Sequence, residues 1–284
     1  MVSYIEMKNN GLKSMQYKYS IIILCALTLF KCESPKQEIA AQDNASKTIL
    51  AIFAHPDDEA SVGPVLARYA SEGVNVYLAT ATDGRLGVNK HAGIPAGDSL
   101  AAVRKSELQC AAEKLGINPP IMFGLHDQLK MGEGMAAFNL QMDSLRRGVV
   151  KLFNELKPDV VLTWNSSGWT GHHDHRLVGA VVTEVFESKK WSFPSQLYYS
   201  GIPAENIPEG SELPITTVDK SFLTVTILVS ERDYAKSKES WLCHKSQYTP
   251  ETVNEMHGTV KQVMQNTWFF QPHSGNNEPR QSLF

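Results

Sequence analysis

Two short stretches hold most of the residues able to do chemistry. "AHPDDE", residues 54–59, sets a histidine and three acids close together, and "TGHHDH", residues 170–175, adds three of the chain's nine histidines and a further acid. Imidazole nitrogen and carboxylate oxygen both suit zinc, and three protein ligands with one position left open make a catalytic rather than a structural site. His55 and Asp58, three apart around a proline-stiffened turn, can point at one ion while Asp57 faces another way. His172 and His175, at i and i+3 of a predicted helix, share a face. If His55, Asp58 and His175 meet, they supply two nitrogens and one oxygen. Each cluster alone also admits a plainer reading. Acids in a first helical turn gain about 0.3–1 kcal/mol each from the helix dipole, and a histidine pair often caps or packs. The two clusters together favour the metal.

The apolar pattern shows what must position them. From Lys47 onward, β-branched runs alternate with helical periodicity. Strands are expected at 48–54, 74–80, 120–125 and 159–164, with helices at 59–73, 98–116, 137–157 and 172–188; strands at 195–201 and 222–230 and a last helix at 231–247 follow. This order implies an α/β fold, a Rossmann-like, mostly parallel sheet with helices on both faces. Ligands of such sheets collect beyond the carboxyl ends of the strands, where both clusters fall. The first strand–helix turn carries no G-x-G-x-x-G, so a dinucleotide loses its main support.

Composition bounds the alternatives. The chain has 284 residues, 42% hydrophobic and 20% charged, with a formal charge of -3, which gives no broad basic surface for nucleic acid. Lys8, Lys13 and Lys18 precede the apolar run "YSIIILCALTLF", which is shorter than the ~20 residues a membrane helix needs and fits an export signal. Residues 1–31 are therefore read as an export signal, with Met15 an alternative start, 32–46 as a flexible tether, and 47–284 as one domain. Cys32 is the candidate for lipidation, although Lys31 departs from the small residue usual before such a cysteine. A membrane-anchored bacterial lipoprotein is the favoured location; a cleaved soluble export and an uncleaved anchor are the alternatives. Cys110 and Cys243 read as buried helical thiols, with no disulfide framework expected.

"AHPDDE" and "GHHDH" together resemble the PIG-L/LmbE-like family of zinc-dependent N-deacetylases. "ATDGRLG" at 81–87, "RKSELQCAAEKLGI" at 104–117 and "HKSQ" at 244–247 agree, so the resemblance spans Lys47 to Gln247. It implies His55, Asp58 and His175 as zinc ligands, Asp57 as general base, His172 as partner of the oxyanion or leaving group, and Asp174 as the acid that tunes His172. It also implies substrate contacts from Arg104 and Asp127. His173 departs from the proline or small residue usual in the family. The activity implied is removal of an N-acetyl group from an amino sugar or glycoconjugate. The alternatives are a zinc amidase acting on another N-acyl group and a non-catalytic metal- or sugar-binding surface lipoprotein; an unligated Asp57 argues against the latter. Any membrane contact would come through the lipid anchor, and nothing fixes an oligomeric state. Four plainer readings stand alongside. Arg104 pairs with Asp83 or Asp127, Glu59 is a helix-start acid, Trp164 and Trp169 are anchors, and the Pro-rich stretch 198–220 is a surface connection rather than a pocket wall.

Overall fold

The computed structural model describes residues 46–211, 214–274 and 278–284; Cys32, the export segment and most of the tether lie outside them. The strands are β1 (Thr48–Phe53), β2 (Asn75–Thr82), β3 (Ile121–Leu125), β4 (Val160–Trp164), β5 (Gln196–Gly201), β6 (Val225–Leu228) and β7 (Thr267–Pro272). They form one sheet in the order β3-β2-β1-β4-β5-β7-β6. The first five run parallel, and β7 lies antiparallel between β5 and β6.

The apolar run of β1 is explained by its central place. Ile49 to Phe53 are fully buried, as a parallel strand covered on both faces requires. Alternate side chains serve opposite layers. Ile49, Ala51 and Phe53 join the cluster under α1 (Gly63–Ser71) and α2 (Asp98–Leu115), while Leu50 and Ile52 join the one under α3 (Met135–Leu156) and α5 (His173–Glu187). Each such large side chain contributes roughly 1.5–3 kcal/mol on burial. A single turn, α4 (Gly168–Gly171), separates β4 from α5. Gly179 lets α5 lie tightly on the sheet, because a Cβ there would overlap the carbonyl oxygen of Trp164. That approach sets the position of His172 and His175 at the start of α5.

From β1 the chain winds outward through β2 and β3, and from β4 it winds the other way. The neighbouring β1 and β4, paired from Ile49 with Val160 to Ala51 with Leu162, therefore flank the switch point, where a crevice opens beyond the strand ends. The two motifs leave from these two strands.

The C-terminal third differs from expectation. The last predicted helix stops early as α6 (Glu231–Trp241), and α7 (Pro250–Met264) and β7 follow where no element was expected. Thr249 caps α7 by accepting the Thr252 N–H, with Pro250 in the first turn. Cys110 and Cys243 are not free thiols. They form a disulfide across 133 residues, with Cα atoms 5.8 Å apart. Helical periodicity gives each cysteine a face but not which faces meet, so the pairing was hidden. The bond joins α2 to the turn after α6. Replacing both cysteines by serine is expected to cost about 2–4 kcal/mol in urea unfolding, and thiol titration of the denatured, unreduced chain should find Cys110 and Cys243 unreactive.

Candidate metal centre and active site

The chain turns sharply where β1 ends. Asp58 opens a short 3-10 helix, Asp58–Ser61, and its Oδ2 accepts the backbone N–H groups of Ala54 and His55, both at 2.9 Å. The carboxylate is thereby fixed beside the histidine. From the β4 side, His172 caps α5, its Nδ1 accepting the Asp174 N–H at 3.2 Å.

These turns bring His55, Asp58 and His175 together. His55 Nδ1 lies 3.3 Å from His175 Nε2 and 3.6 Å from Asp58 Oδ2, and His175 Nε2 lies 3.2 Å from Asp58 Oδ1. Donors held tetrahedrally at about 2.0–2.1 Å from zinc stand roughly 3.3 Å apart, so the spacing fits one ion. The other ring nitrogens are engaged in the way metal-binding histidines require. His175 Nδ1 donates to the Gly168 carbonyl at 2.9 Å. His55 Nε2 donates to Asp174 Oδ2 at 3.1 Å, with Asp127 Oδ1 at 3.3 Å. Both imidazoles therefore turn lone pairs toward Asp58.

Two other donor groupings occur among the described residues, His55–His172–His175 and His55–Asp127–Asp174. The first would use His172, whose Nδ1 is already occupied by the Asp174 N–H. In the second, Asp127 and Asp174 lie on the Nε2 side of His55, at 3.3 and 3.1 Å; a proton on Nε2 lets these carboxylates accept from the ring and leaves its Nδ1 lone pair on the Asp58 side, so they suit orienting His55. Asp174 does more than the resemblance implied: its carboxylate meets His55, its backbone N–H is accepted by His172 Nδ1, and its charge pulls the His172 pKa upward. Electrostatics agree. Burial would lower the His55 pKa, but Asp58, Asp127 and Asp174 hold it well above its ordinary value. Burial would raise Asp58, but His175 and His55 hold it well below the usual carboxylate range. Three carboxylates facing two imidazoles suit a divalent cation.

Asp57 lies beside this set and outside it. Its φ of 117° is left-handed, a strain of order 1–3 kcal/mol for a residue other than glycine. Three contacts hold it there. Its N–H donates to Glu59 Oε2 at 3.0 Å, Arg104 Nη2 approaches Oδ1 at 2.9 Å, and the Tyr248 hydroxyl donates to Oδ2 at 3.1 Å. Burial pushes its pKa up against the pull of Arg104. Arg104 therefore pairs with Asp57 and not with Asp83 or Asp127; Asp83 is taken by Arg85 at 2.6 Å. Arg104 also donates to the carbonyls of Gly84 and Pro56. Gly84, at φ +65°, leaves room where a Cβ would overlap the guanidinium.

Three supporting groups were not foreseen as such. Glu59 is fully buried and more than a helix-start acid, since its Oε1 meets His244 Nε2 at 2.6 Å. Glu107 accepts the N–H and hydroxyl of Ser246 at 2.6 and 2.7 Å. Tyr248 follows directly on the H-x-S-Q motif, which was the signal for it. His55, Asp57, Asp58, Arg104, His172 and Tyr248 line one cavity of about 300 Å³, together with Asp127 and His175. Burial and the neighbouring His55 and His175 lower the His172 pKa, against the pull of Asp174. Since its Nδ1 accepts, its proton sits on Nε2.

Known proteins share this sequence pattern and fold. The family described as GlcNAc-PI de-N-acetylase, PIG-L, matches residues 50–186. A 1D-myo-inositol 2-acetamido-2-deoxy-alpha-D-glucopyranoside deacetylase of Rhodococcus erythropolis is 32% identical over 246 residues, 72% of this chain and 82% of that one. The N,N'-diacetylchitobiose deacetylase of Pyrococcus horikoshii superposes with a TM-score of 0.59 at 18% identity, over 80% of this chain and 83% of its own. A 4-carboxy-2-hydroxymuconate hydratase of Pseudomonas putida superposes almost as well, at 0.57 and 18% identity over 81% of this chain and 97% of its own. Likeness at that level shows the fold alone.

The contact of Asp174 with His55 predicts that Asp174→Asn weakens zinc binding by about 10–100-fold, read by competition with a chromophoric chelator, while circular dichroism stays unchanged.

Proposed function

The chain belongs to the PIG-L family, and from that premise we propose that it is a zinc-dependent N-deacetylase hydrolysing the acetamide of an N-acetylglucosamine-type amino sugar or glycoconjugate. The observation that carries this reading is Asp57, a carboxylate held rigidly next to the His55–Asp58–His175 donors without joining them. Metal binding alone has no use for such a group; amide hydrolysis needs it. The Rhodococcus relative's name specifies a 2-acetamido sugar, which supports the substrate class.

His55, Asp58 and His175 hold zinc in this reading, and zinc there supplies an activated water and a polarised acetyl carbonyl. The rest falls to the chain's own side chains. Asp57 takes the proton of the attacking water. Burial raises its pKa, which brings a carboxylate closer to the range where a base works best at neutral pH. Arg104 and Tyr248 occupy one lone pair on each of its oxygens and fix the direction of the others. His172, neutral and protonated on Nε2, donates to the carbonyl oxygen as negative charge develops there. Asp57 then returns its proton to the departing nitrogen as the C–N bond breaks, and the acetic acid formed passes its proton to the amine, so acetate and an ammonium group result. Arg104 and Asp127 line the cavity and meet the sugar hydroxyls there, after their bonds within the protein have set their positions.

The same proposal covers location. Residues 1–31 act as an export signal, with Cys32 the acylation candidate. The Cys110–Cys243 disulfide supports an oxidising compartment.

Two variants test the mechanism on N-acetylglucosamine and its glycosides, with free amine followed by mass spectrometry. Asp57→Asn should retain one zinc per chain and lose about 10²–10⁴-fold in kcat; full activity would refute the assignment. Tyr248→Phe should lower kcat on the order of tenfold, the worth of one hydrogen bond to a charged group, with KM and zinc content unchanged.

A further inference from the structure

A second and larger cavity, about 1200 Å³, lies beside the catalytic one. The wall between them is one ring pair thick at two points. His172, lining the catalytic cavity, stacks on His173, lining the second, with centroids 4.7 Å apart and planes 16° apart. His175 likewise stacks on Trp164, at 4.5 Å and 6°. The second cavity is a groove along α5. Arg176, Ala180, Thr183, Glu184 and Glu187 line it at helical spacing, a run of about 16 Å at 1.5 Å per residue.

The groove's far wall is the irregular segment around Thr217 to Phe222. That segment is fastened to the turn before the second motif: the Thr216 hydroxyl donates to the Trp169 carbonyl at 2.8 Å and also meets the Ser167 hydroxyl. It walls this groove and not the catalytic cavity. The lining mixes an exposed ring, Phe222 at 58% exposure, with carboxylates and hydroxyls. Its carboxylates are oriented by partners within the protein, Glu184 by Arg146 at 2.7 Å, Glu187 by His273 at 3.2 Å and Asp219 by the Ser221 hydroxyl at 2.6 Å, and each keeps further acceptor capacity. Sugar rings offer apolar faces for stacking on Phe222 and hydroxyls for these carboxylate acceptors.

We propose that this groove binds the rest of an amino-sugar oligosaccharide whose acetamide is presented to the catalytic cavity, the chain crossing the rim at His173. This rests on the deacetylase reading and deepens it: the substrate is a linear chain of amino sugars rather than a single sugar. His173, which replaces a proline or small residue of the family pattern, is then the side chain at the crossing.

Calorimetric titration of the zinc-loaded full chain with N-acetylglucosamine and with its β-1,4-linked tetramer tests the groove without turnover. The tetramer should bind at least tenfold more tightly. Phe222→Ala should raise the tetramer's Kd by up to about tenfold, the worth of one stacking contact, and leave monomer binding and monomer turnover unchanged. Phe222→Trp should keep the tetramer's affinity. Equal affinity for monomer and tetramer, or a tetramer affinity indifferent to Phe222→Ala, would overturn the proposal. A chain that binds the tetramer through Phe222 yet releases no acetate from either sugar would sink the deacetylase reading and leave the groove standing.

Discussion

The orientation of one imidazole governs the whole site. His55 leaves the end of β1 with its two nitrogens facing opposite ways, Nδ1 toward His175 and Asp58, Nε2 toward Asp174 and Asp127. The carboxylates on the Nε2 side need its proton, so the Nδ1 lone pair is free for a metal. If that ring turned over, the donor set would be lost and two buried acids would lose their partner. The strands do the coarse positioning, since β1 and β4 lie side by side at the sheet's switch point. The carboxylate bonds do the fine positioning.

Much of the remaining buried charge serves Asp57. Its left-handed backbone is tied to Glu59, Glu59 to His244, and its carboxylate to Arg104 and Tyr248. Removing one partner of such a buried pair costs about 3–5 kcal/mol because the other charge is stranded. The H-x-S-Q turn contributes at three points. His244 holds Glu59, Ser246 holds Glu107, and Gln247 donates to the Gly87 carbonyl at 2.9 Å. The disulfide sits one residue before His244 and one helical turn after Glu107, so the covalent and polar links between α2 and this turn coincide.

What the sequence disclosed follows from what is local. The strand–helix alternation and the central apolar runs are periodic over short windows, and the five parallel strands came through that way. Both motifs lie immediately after strands, so their shared edge was legible before any geometry. β7 and α7 were missed although "TWFFQP" is aromatic-rich and Thr249–Pro250 is a helix start, because the alternating pattern had by then given way to an antiparallel edge. Side-chain partners across long separations were not legible. Arg104 with Asp57, Glu59 with His244, Cys110 with Cys243 and the turn of Asp174 toward His55 all depend on which faces meet. Periodicity gives a face and does not give its neighbour.

The central claim is that one metal ion sits between His55 Nδ1, His175 Nε2 and Asp58, and that Asp127 and Asp174 orient His55 without binding it. A crystal structure of the zinc-loaded protein, with anomalous data collected at the zinc edge, tests this directly. The account predicts a single strong peak within about 2.0–2.2 Å of those two nitrogens and an Asp58 oxygen, with Asp57 outside that distance. A peak on the Nε2 side of His55, coordinated by Asp127 and Asp174, would contradict it.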